Sequence, residues 1–346
     1  MIALMESGGV ALLVAILGTP VMIRWLKGRR IGQQVREDGP LTHIAKAGTP
    51  TLGGVAIVGA ILAGYAMGHV GPDVRFSRTG WLVLVAVVTF GGIGFIDDAI
   101  KVRNRRSLGL NKRAKLVAQL AAGVLFSELA VHWAHTATTL SFVRATTPGA
   151  GLGEVGWVVV ATFVMVGASN AVNLTDGLDG LAAGSSAICF AVLAIIGYWI
   201  FRHNSVYHLL PASAVDLALC AMALAGSCVG FLWWNAAPAR IMMGDTGSLA
   251  LGSGLAAVCL LLNVTLLLPI IGGLFVLETL SVVGQVVSFR LFGRRIFRMA
   301  PVHHHFELLG WPETTVIIRF WVLAGLFAGL GLGIFYGEFL ALSHIR

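Results

Sequence analysis

Residues 80–98 read GWLVLVAVVTFGGIGFIDD, a run of 17 uncharged residues that ends in two aspartates. A helix needs about 20 mostly apolar residues to cross a bilayer, so this run predicts a transmembrane helix with carboxylates at its boundary. Comparable runs lie at residues 8–26, 51–69, 80–97, 114–133, 156–173, 180–201, 212–233, 247–262, 266–290 and 316–342. They predict an all-α, polytopic integral membrane protein of about ten transmembrane helices, in a single transmembrane domain over residues 1–346.

The composition also favours a membrane protein. Of 346 residues, 57% are hydrophobic and 12% are charged, whereas a soluble domain carries about 25% charged residues.

The four cysteines lie in apolar runs without a CxxC pair, so we expect buried, reduced thiols and no disulfide framework. Arg24 and Lys27 follow the first run, whereas a signal peptide carries its positive charges before the run. We therefore expect a first transmembrane helix here and not a cleavable signal peptide.

The basic residues predict the orientation of the chain. With the N-terminus outside, 19 of the 24 Lys and Arg residues fall on inside segments, as the positive-inside rule requires. Ten spans then place both termini outside. In so apolar a chain, the formal net charge of +8 indicates a membrane surface and anionic substrates, and no nucleic acid.

Several other features have simple interpretations. Residues 134–155 are rich in Thr and Gly and predict an outside loop or a short hairpin. We expect Asp216, near the outside end of a run, to be solvated. Glu278 and Gln285 lie seven residues apart and share a helix face, so they either line a polar cavity or make an interhelical contact. Residues 290–299 combine Arg with aromatic side chains and could form an amphipathic interfacial helix.

Acidic side chains gather on three inside loops. Asp97 and Asp98 lie at the apolar edge of a span, where they could bind a divalent cation, supply a general base or simply be solvated. The third loop carries four polar residues at three-residue spacing: Asn170, Asn173, Asp176 and Asp179. A helix cap or turn needs one such residue, so four of them favour a functional site. In the fourth loop, Asp245 precedes a span either as a Mg²⁺ ligand or as an ordinary N-cap.

The first and fifth inside loops carry basic and imidazole groups. Lys46 precedes a Gly/Pro-rich entry to the second span, where it could bind phosphate or act as a positive-inside anchor. His303, His304 and His305 are consecutive, so on a helix they point in different directions and lack the wider spacing of zinc sites. A histidine that reaches a phosphate or a carboxylate is an equally good interpretation.

Five stretches on these loops resemble, in order, the motifs of one family. They are DGPLTHIAKAGTPTLGG at 38–54, DDAIK at 97–101, NAVNLTDGLDGLA at 170–182, GDTGS at 244–248 and PVHHHFEL at 301–308. Together they make the chain similar to the phospho-N-acetylmuramoyl-pentapeptide-transferase (MraY) family, within the polyprenyl-phosphate N-acetylhexosamine-1-phosphate transferase superfamily. Leu52 stands where that family more often has methionine, a difference that should not affect the chemistry.

The resemblance implies a Mg²⁺-dependent transfer of phospho-N-acetylmuramoyl-pentapeptide from its UDP donor to undecaprenyl phosphate. The products are UMP and the first lipid-linked peptidoglycan precursor. It also implies a homodimer in the bacterial cytoplasmic (inner) membrane, with the active site facing the cytoplasm. Catalytic roles fall on Asp97, Asp98, Asp245 and His303, with Asp245, and as alternatives Asp97 and Asp98, as Mg²⁺ ligands. Substrate-binding roles fall on Lys46, Thr51, Asn170, Asn173, Asp176, Asp179, Asn235, Gly244, Ser248, Gln285, His304 and His305.

Two other functions stay open at this point. A sister transferase that moves GlcNAc-1-phosphate to the same lipid would share the acidic motifs and differ in the histidine-rich loop. An ion-coupled transporter would also carry intramembrane acids. Against a transporter, the acids collect at one face of the bilayer and no inverted repeat is visible. The sequence also leaves open a direct attack or a covalent enzyme intermediate.

Overall fold

A computed structural model of the chain describes residues 1–29, 32, 48–71, 74–104, 108–142, 150–207 and 210–343. Its α-helices are α1 (Ile2–Gly28), α2 (Gly54–Met67), α3 (Arg78–Arg103), α4 (Lys112–His132), α5 (Gly153–Thr175), α6 (Leu181–Arg202), α7 (Pro211–Asn235), α8 (Gly244–Leu261), α9 (Leu268–Ile271), α10 (Gly273–Phe292), α11 (Val302–Leu308) and α12 (Glu313–Ser343). A short 3-10 helix, Thr265–Leu267, precedes α9. The segment predicted as a loop or hairpin contains two short antiparallel strands, β1 (Thr139–Leu140) and β2 (Ala150–Gly151).

The helices confirm the predicted fold class. Among the described residues, nine helices are long and apolar enough to cross a bilayer, and the apolar helix α2 is shorter, with 14 residues. In chain order these ten helices correspond to the ten predicted runs. The four cysteines are free and buried, as expected. The all-α, polytopic membrane fold is therefore correct, while the side that each end of the bundle faces stays a prediction.

Helix α8 lies at the centre of the bundle. Every residue from Thr246 to Leu261 is buried, and α8 packs against α3 and α5. Close packing against α3 requires Gly94, because a Cβ atom at that position would collide with the backbone of Asp245. The first turn of α8 is thereby held directly beside the end of α3 that carries Asp97 and Asp98.

Two predicted helical segments are wrong in detail. The run 266–290 is not one span, because α9 ends at Ile271 and Gly272–Gly273 separate it from α10. Residues 290–299 do not form an interfacial helix, because α10 ends at Phe292 and Gly293 adopts a left-handed conformation with φ of 64°. Glycine is the residue that most easily adopts this conformation at the end of a helix. Residues 294–301 instead form an irregular segment that leads into α11.

At the end of the bundle opposite Asp245, Asp216 is fully buried, so the prediction that it is solvated is wrong. Its Oδ2 accepts hydrogen bonds from the Ser77 backbone N–H (2.7 Å), the Ser77 hydroxyl (2.6 Å) and the Tyr65 hydroxyl (3.0 Å). Its Oδ1 lies 3.1 Å from His69 Nε2. The carboxylate joins the end of α2 and the start of α3 to the first turns of α7, which is why burial is tolerated.

Replacing Asp216 by asparagine should lower stability without altering the opposite end of the bundle. The amide loses the charge that strengthens these hydrogen bonds, and we expect the free energy of unfolding to fall by about 1.5–3 kcal/mol. Thermal unfolding in detergent measures the change. Glu128→Gln is the matched control, because the Glu128 side chain is 47% exposed. Equal stability of the two variants would contradict this interpretation.

Candidate active site

Asp98 is bound to the first turn of α8. Its Oδ2 accepts hydrogen bonds from the Thr246 backbone N–H (2.9 Å) and the Thr246 hydroxyl (2.8 Å). Its Oδ1 accepts a longer one from the Asp245 backbone N–H (3.2 Å). A carboxylate in this place satisfies N–H groups that have no partner within the helix, and it complements the positive end of the helix dipole. The α3 side chain thus fixes the position of Asp245.

Asp97 and Asp245 share an ammonium group. Asp97 Oδ2 lies 2.6 Å from Lys101 Nζ, and the same nitrogen lies 2.9 Å from Asp245 Oδ2. Lys115 Nζ lies 2.6 Å from Asp245 Oδ2. The other oxygen of Asp97 accepts a hydrogen bond from the backbone N–H of Leu110 (2.8 Å), in the segment between α3 and α4.

The three aspartates form a compact cluster, which we call the carboxylate cluster: Asp97, Asp98 and Asp245. One oxygen from each lies within 4.8 Å of the others, and this is the one group of metal-type ligands of this kind among the described residues. Two ammonium groups and three carboxylates leave a formal charge of −1 when all are ionised. Hard carboxylate oxygens at this spacing suit a divalent cation such as Mg²⁺.

The sequence interpretation missed both lysines of this site. Neither is among the site residues that the sequence predicts, because both lie on a predicted inside segment, where the positive-inside rule and neutralisation of the nearby acids account for basic residues. Lys101 follows Asp97 by four residues and Asp98 by three, a helical spacing that could have identified it. Lys115 comes from the next helix, and nothing in the local sequence distinguishes it from its basic neighbours.

The contacts of Lys115 lead to a direct prediction. Lys115→Met should lower the rate of any phosphoryl transfer at this site by about 10- to 100-fold, because a lost charge-assisted hydrogen bond is equivalent to about 1.5–3 kcal/mol. Lys112→Met is the matched control, since Lys112 lies one turn earlier and is exposed. If both variants lose activity equally, a general loss of basic charge explains the result and the specific role is wrong.

Of the four predicted residues of the third loop, Asn173 directly contacts the carboxylate cluster. Its amide donates hydrogen bonds to Asp245 Oδ1 (2.9 Å) and to the hydroxyl of Ser248 (2.8 Å). Asp176 follows the end of α5, and burial together with the carboxylates of Asp245 and Asp98 raises its pKa well above the usual aspartate range. Asp176 follows by three residues Asn173, which contacts Asp245 directly.

The other two residues of that loop have protein partners. Asn170 exchanges hydrogen bonds with Gln119 of α4, the shorter at 2.9 Å. Asp179 is buried, and its Oδ2 accepts a hydrogen bond from the Ala239 backbone N–H (2.8 Å). Its own backbone N–H donates to Glu313 Oε1 (3.0 Å). Their predicted substrate contacts stay predictions.

Apart from the three histidines, the remaining predicted site residues are Thr51, Gly244, Asn235, Gln285 and Lys46. Thr51 lies beside Gly244, which begins α8 with φ of 73°. Asn235 donates a hydrogen bond to the Ile241 carbonyl (2.9 Å) and so closes the fourth loop. Gln285 accepts from the backbone N–H groups of Ile296 and Phe297 at 2.9 Å each, so its amide holds the segment before α11. Lys46 lies outside the described residues.

The three histidines have three different partners, as expected for consecutive residues of a helix. His303 is fully buried, with Nδ1 at 3.1 Å from Glu278 Oε1. His304 Nδ1 lies 2.7 Å from Glu307 Oε2. His305 Nδ1 accepts a hydrogen bond from the Arg298 backbone N–H (3.1 Å). They do not converge on one point, so in the described structure they do not form a metal site.

Comparison with known proteins assigns the family. Residues 80–263 match the profile of glycosyl transferase family 4. The chain is 51% identical over 356 residues to a protein of Saccharopolyspora erythraea, with 99% of each chain covered. It is 48% identical over 344 residues to one of Frankia casuarinae, with 96% of each covered. It is 48% identical over 361 residues to one of Mycolicibacterium smegmatis, covering 98% of this chain and 99% of that one.

All three relatives carry the name phospho-N-acetylmuramoyl-pentapeptide-transferase. With this identity over nearly its whole length, the chain belongs to the phospho-N-acetylmuramoyl-pentapeptide-transferase family, within glycosyl transferase family 4.

Proposed function

We propose that the chain transfers phospho-N-acetylmuramoyl-pentapeptide from its UDP donor to undecaprenyl phosphate, and releases UMP. The main observation that supports phosphoryl transfer is the carboxylate cluster with its two lysines. It lies at the end of helices that are long and apolar enough to cross a membrane. A lipid phosphate and a soluble nucleotide can meet at such a place. The names of the relatives support the identity of the sugar and its peptide.

The reaction forms one phosphorus–oxygen bond and breaks another. An oxygen of the lipid phosphate forms a bond to the phosphorus that carries the sugar, and the bond from that phosphorus to the bridging oxygen of the donor breaks. UMP leaves with that oxygen, and the lipid keeps a diphosphate linked to the sugar. A lipid phosphate is already largely ionised near neutral pH, so the attack does not require a strong base. Positioning and charge neutralisation then dominate the catalysis.

We assign the cluster the task of holding Mg²⁺, with Asp245 as the principal ligand and Asp97 and Asp98 beside it. The donor set fits a hard cation, because all three groups are carboxylates with oxygens within 4.8 Å of one another. When bound, Mg²⁺ would offset the negative charge of the diphosphate. Lys101 and Lys115 would donate hydrogen bonds to phosphate oxygens from positions that they already hold beside Asp245.

We assign different roles to Asp97 and Asp98 from their contacts. Both oxygens of Asp98 accept hydrogen bonds from the start of α8, so Asp98 acts by positioning Asp245. Asp97 Oδ2 faces Lys101 and is engaged by no backbone N–H in the described structure. We infer that Asp97 is the carboxylate that orients the acceptor phosphate or accepts its remaining proton.

The proposed setting is the bacterial cytoplasmic membrane, with the carboxylate cluster facing the cytoplasm. The positive-inside rule supports this orientation, because 19 of the 24 Lys and Arg residues fall on the predicted inside segments, and the helix ends that carry the cluster border those segments. A homodimer is proposed from the family resemblance alone.

The UDP-sugar that the protein accepts as donor distinguishes the proposed function from that of the sister transferase. Purified protein with undecaprenyl phosphate and Mg²⁺ should release UMP from UDP-N-acetylmuramoyl-pentapeptide and not from UDP-GlcNAc. Release from UDP-GlcNAc alone would establish the sister activity. Uptake of a solute into proteoliposomes without release of UMP would instead support the transporter.

A further inference from the structure

A second buried acid lies outside the carboxylate cluster, on α10. Glu278 and His303 are both fully buried, and Glu278 Oε1 lies 3.1 Å from His303 Nδ1. Removing an ionisable pair from water carries a free-energy cost that the mutual attraction often fails to offset. Full burial of the pair is therefore weak evidence that it stabilises the fold, and the presence of the pair needs another explanation.

The surrounding contacts hold this pair at the junction of four helices and the third loop. Ser281 accepts a hydrogen bond from the Val302 backbone N–H (3.0 Å) and donates one to the Glu278 carbonyl (2.6 Å), so it joins the start of α11 to α10. A small apolar core seals the junction, with members from the third loop, α6, α10, α11 and α12: Leu178, Leu181, Leu274, Val302, Val316, Ile317, Phe320 and Ala324.

The other side of the His303 ring packs against the third loop at Gly177. A Cβ atom at Gly177 would collide with His303 Nε2, so the ring occupies the space that a side chain would take. Both ring nitrogens of His303 and both carboxylate oxygens of Glu278 are buried and make no hydrogen bond in the described structure, so Nδ1 and Oε1 meet at 3.1 Å as a close polar contact. Gly177 directly follows Asp176 at the end of α5, whose last turn carries Asn173 in contact with Asp245. The position of the ring therefore sets the position of this turn.

We propose that Glu278 is a positioning residue, which acts through His303 on the turn that carries Asp176 and Gly177. Glu278 holds the ring through the 3.1 Å contact of its Oε1 with Nδ1, and the ring supports Gly177. The inference rests on the proposed function. It differs from the direct contact with phosphate or sugar that the motif implies for His303, because the ring has no exposed surface for a substrate.

A double-mutant cycle separates positioning from simple stability. Glu278→Leu and His303→Leu each leave one polar partner buried alone, which is destabilising, whereas the double variant removes both and should recover thermal stability. For turnover, we expect each single variant to lose about 10- to 100-fold in kcat and the double variant to lose no more than the worse single one. Turnover that recovers together with stability would overturn the proposal.

Two variants and one control sharpen this test. Glu278→Gln keeps an oxygen that accepts Nδ1–H, so it should retain turnover within about 10-fold of the wild type. Gly177→Ala displaces the ring without removing either partner, and it should lower kcat with little change in the KM for the lipid. The matched control pair is Glu128 and His132 on α4, which have the same separation of 3.1 Å but are exposed. Changes to that pair should be small and additive.

A readout without turnover keeps failure of this inference distinct from failure of the proposed function. Nitrogen-15 NMR of histidine-labelled protein, with the His303 signal assigned by its loss in His303→Leu, should show Nδ1 protonated. The signal should change in Glu278→Leu. A His303 signal unaffected by Glu278→Leu would contradict the pairing. An inactive wild type with the expected signal would instead contradict the proposed function alone.

Discussion

Asp245→Ala is expected to lower kcat by about a thousandfold or more while the protein stays folded. Asp245 is the carboxylate on which the site converges: Lys101 and Lys115 contact one oxygen, and Asn173 contacts the other. Without it, two ammonium groups face each other without their shared partner, and the proposed Mg²⁺ site loses its principal ligand. The rate of UMP release, measured over a range of Mg²⁺ concentrations, tests this prediction.

The control for this variant is Glu154→Ala. Glu154 is also an acid in the first turn of a long helix, but it is exposed. It should keep wild-type turnover and the same dependence on Mg²⁺. Activity of Asp245→Ala near that of Glu154→Ala, with ordinary Mg²⁺ dependence, would exclude Asp245 as the metal ligand.

Asp98→Asn and Asp97→Asn should both lose about a hundredfold or more in kcat, and only the first should also lose thermal stability. Asp98 accepts three hydrogen bonds from the start of α8. The amide that replaces it directs N–H groups at those donors. Asp97 accepts one backbone hydrogen bond, from Leu110, which the asparagine oxygen can still accept. Its loss should therefore affect the reaction more than the fold.

Thermal unfolding and the pH dependence of UMP release compare this pair. If Asp97 assists in removing a residual proton from the acceptor, Asp97→Asn should become more active relative to wild type as pH rises, because the acceptor then ionises without help. Asp98→Asn should show no such recovery. Equal thermal stability of the two variants would contradict the distinction between them, and recovery of activity at high pH in Asp98→Asn alone would reverse the two roles.

The fold was largely predictable, because crossing a bilayer imposes a strong pattern on sequence. Unsatisfied backbone groups are costly in lipid, so each span is a long apolar helix that composition reveals. The break between α9 and α10 escaped prediction because Gly272 and Gly273 lie inside an apolar run, and glycine is common in membrane helices. The burial of Asp216 could not be predicted, because its partners come from α2 and the start of α3, at least 139 residues away in sequence.

The aspartates of the site were predictable for a different reason. Acids at the apolar edge of a span are costly, so their presence already indicated a function. What sequence could not show is which neighbours they have. Asp98 accepts a hydrogen bond from the backbone N–H of Thr246, which lies 148 residues away in sequence. Lys115 reaches Asp245 from a separate helix. Glu278 and Gln285 both lie on α10, yet Glu278 contacts His303 whereas Gln285 accepts a hydrogen bond from the backbone N–H of Phe297.

The most direct measurement follows both products of the purified protein. With UDP-N-acetylmuramoyl-pentapeptide, undecaprenyl phosphate and Mg²⁺, the account predicts equal amounts of UMP and of lipid-linked sugar diphosphate, and neither product when the lipid or Mg²⁺ is omitted. The Asp245→Ala variant should form neither at a comparable rate. No UMP from the wild type, or UMP released without the matching lipid product, would contradict the account.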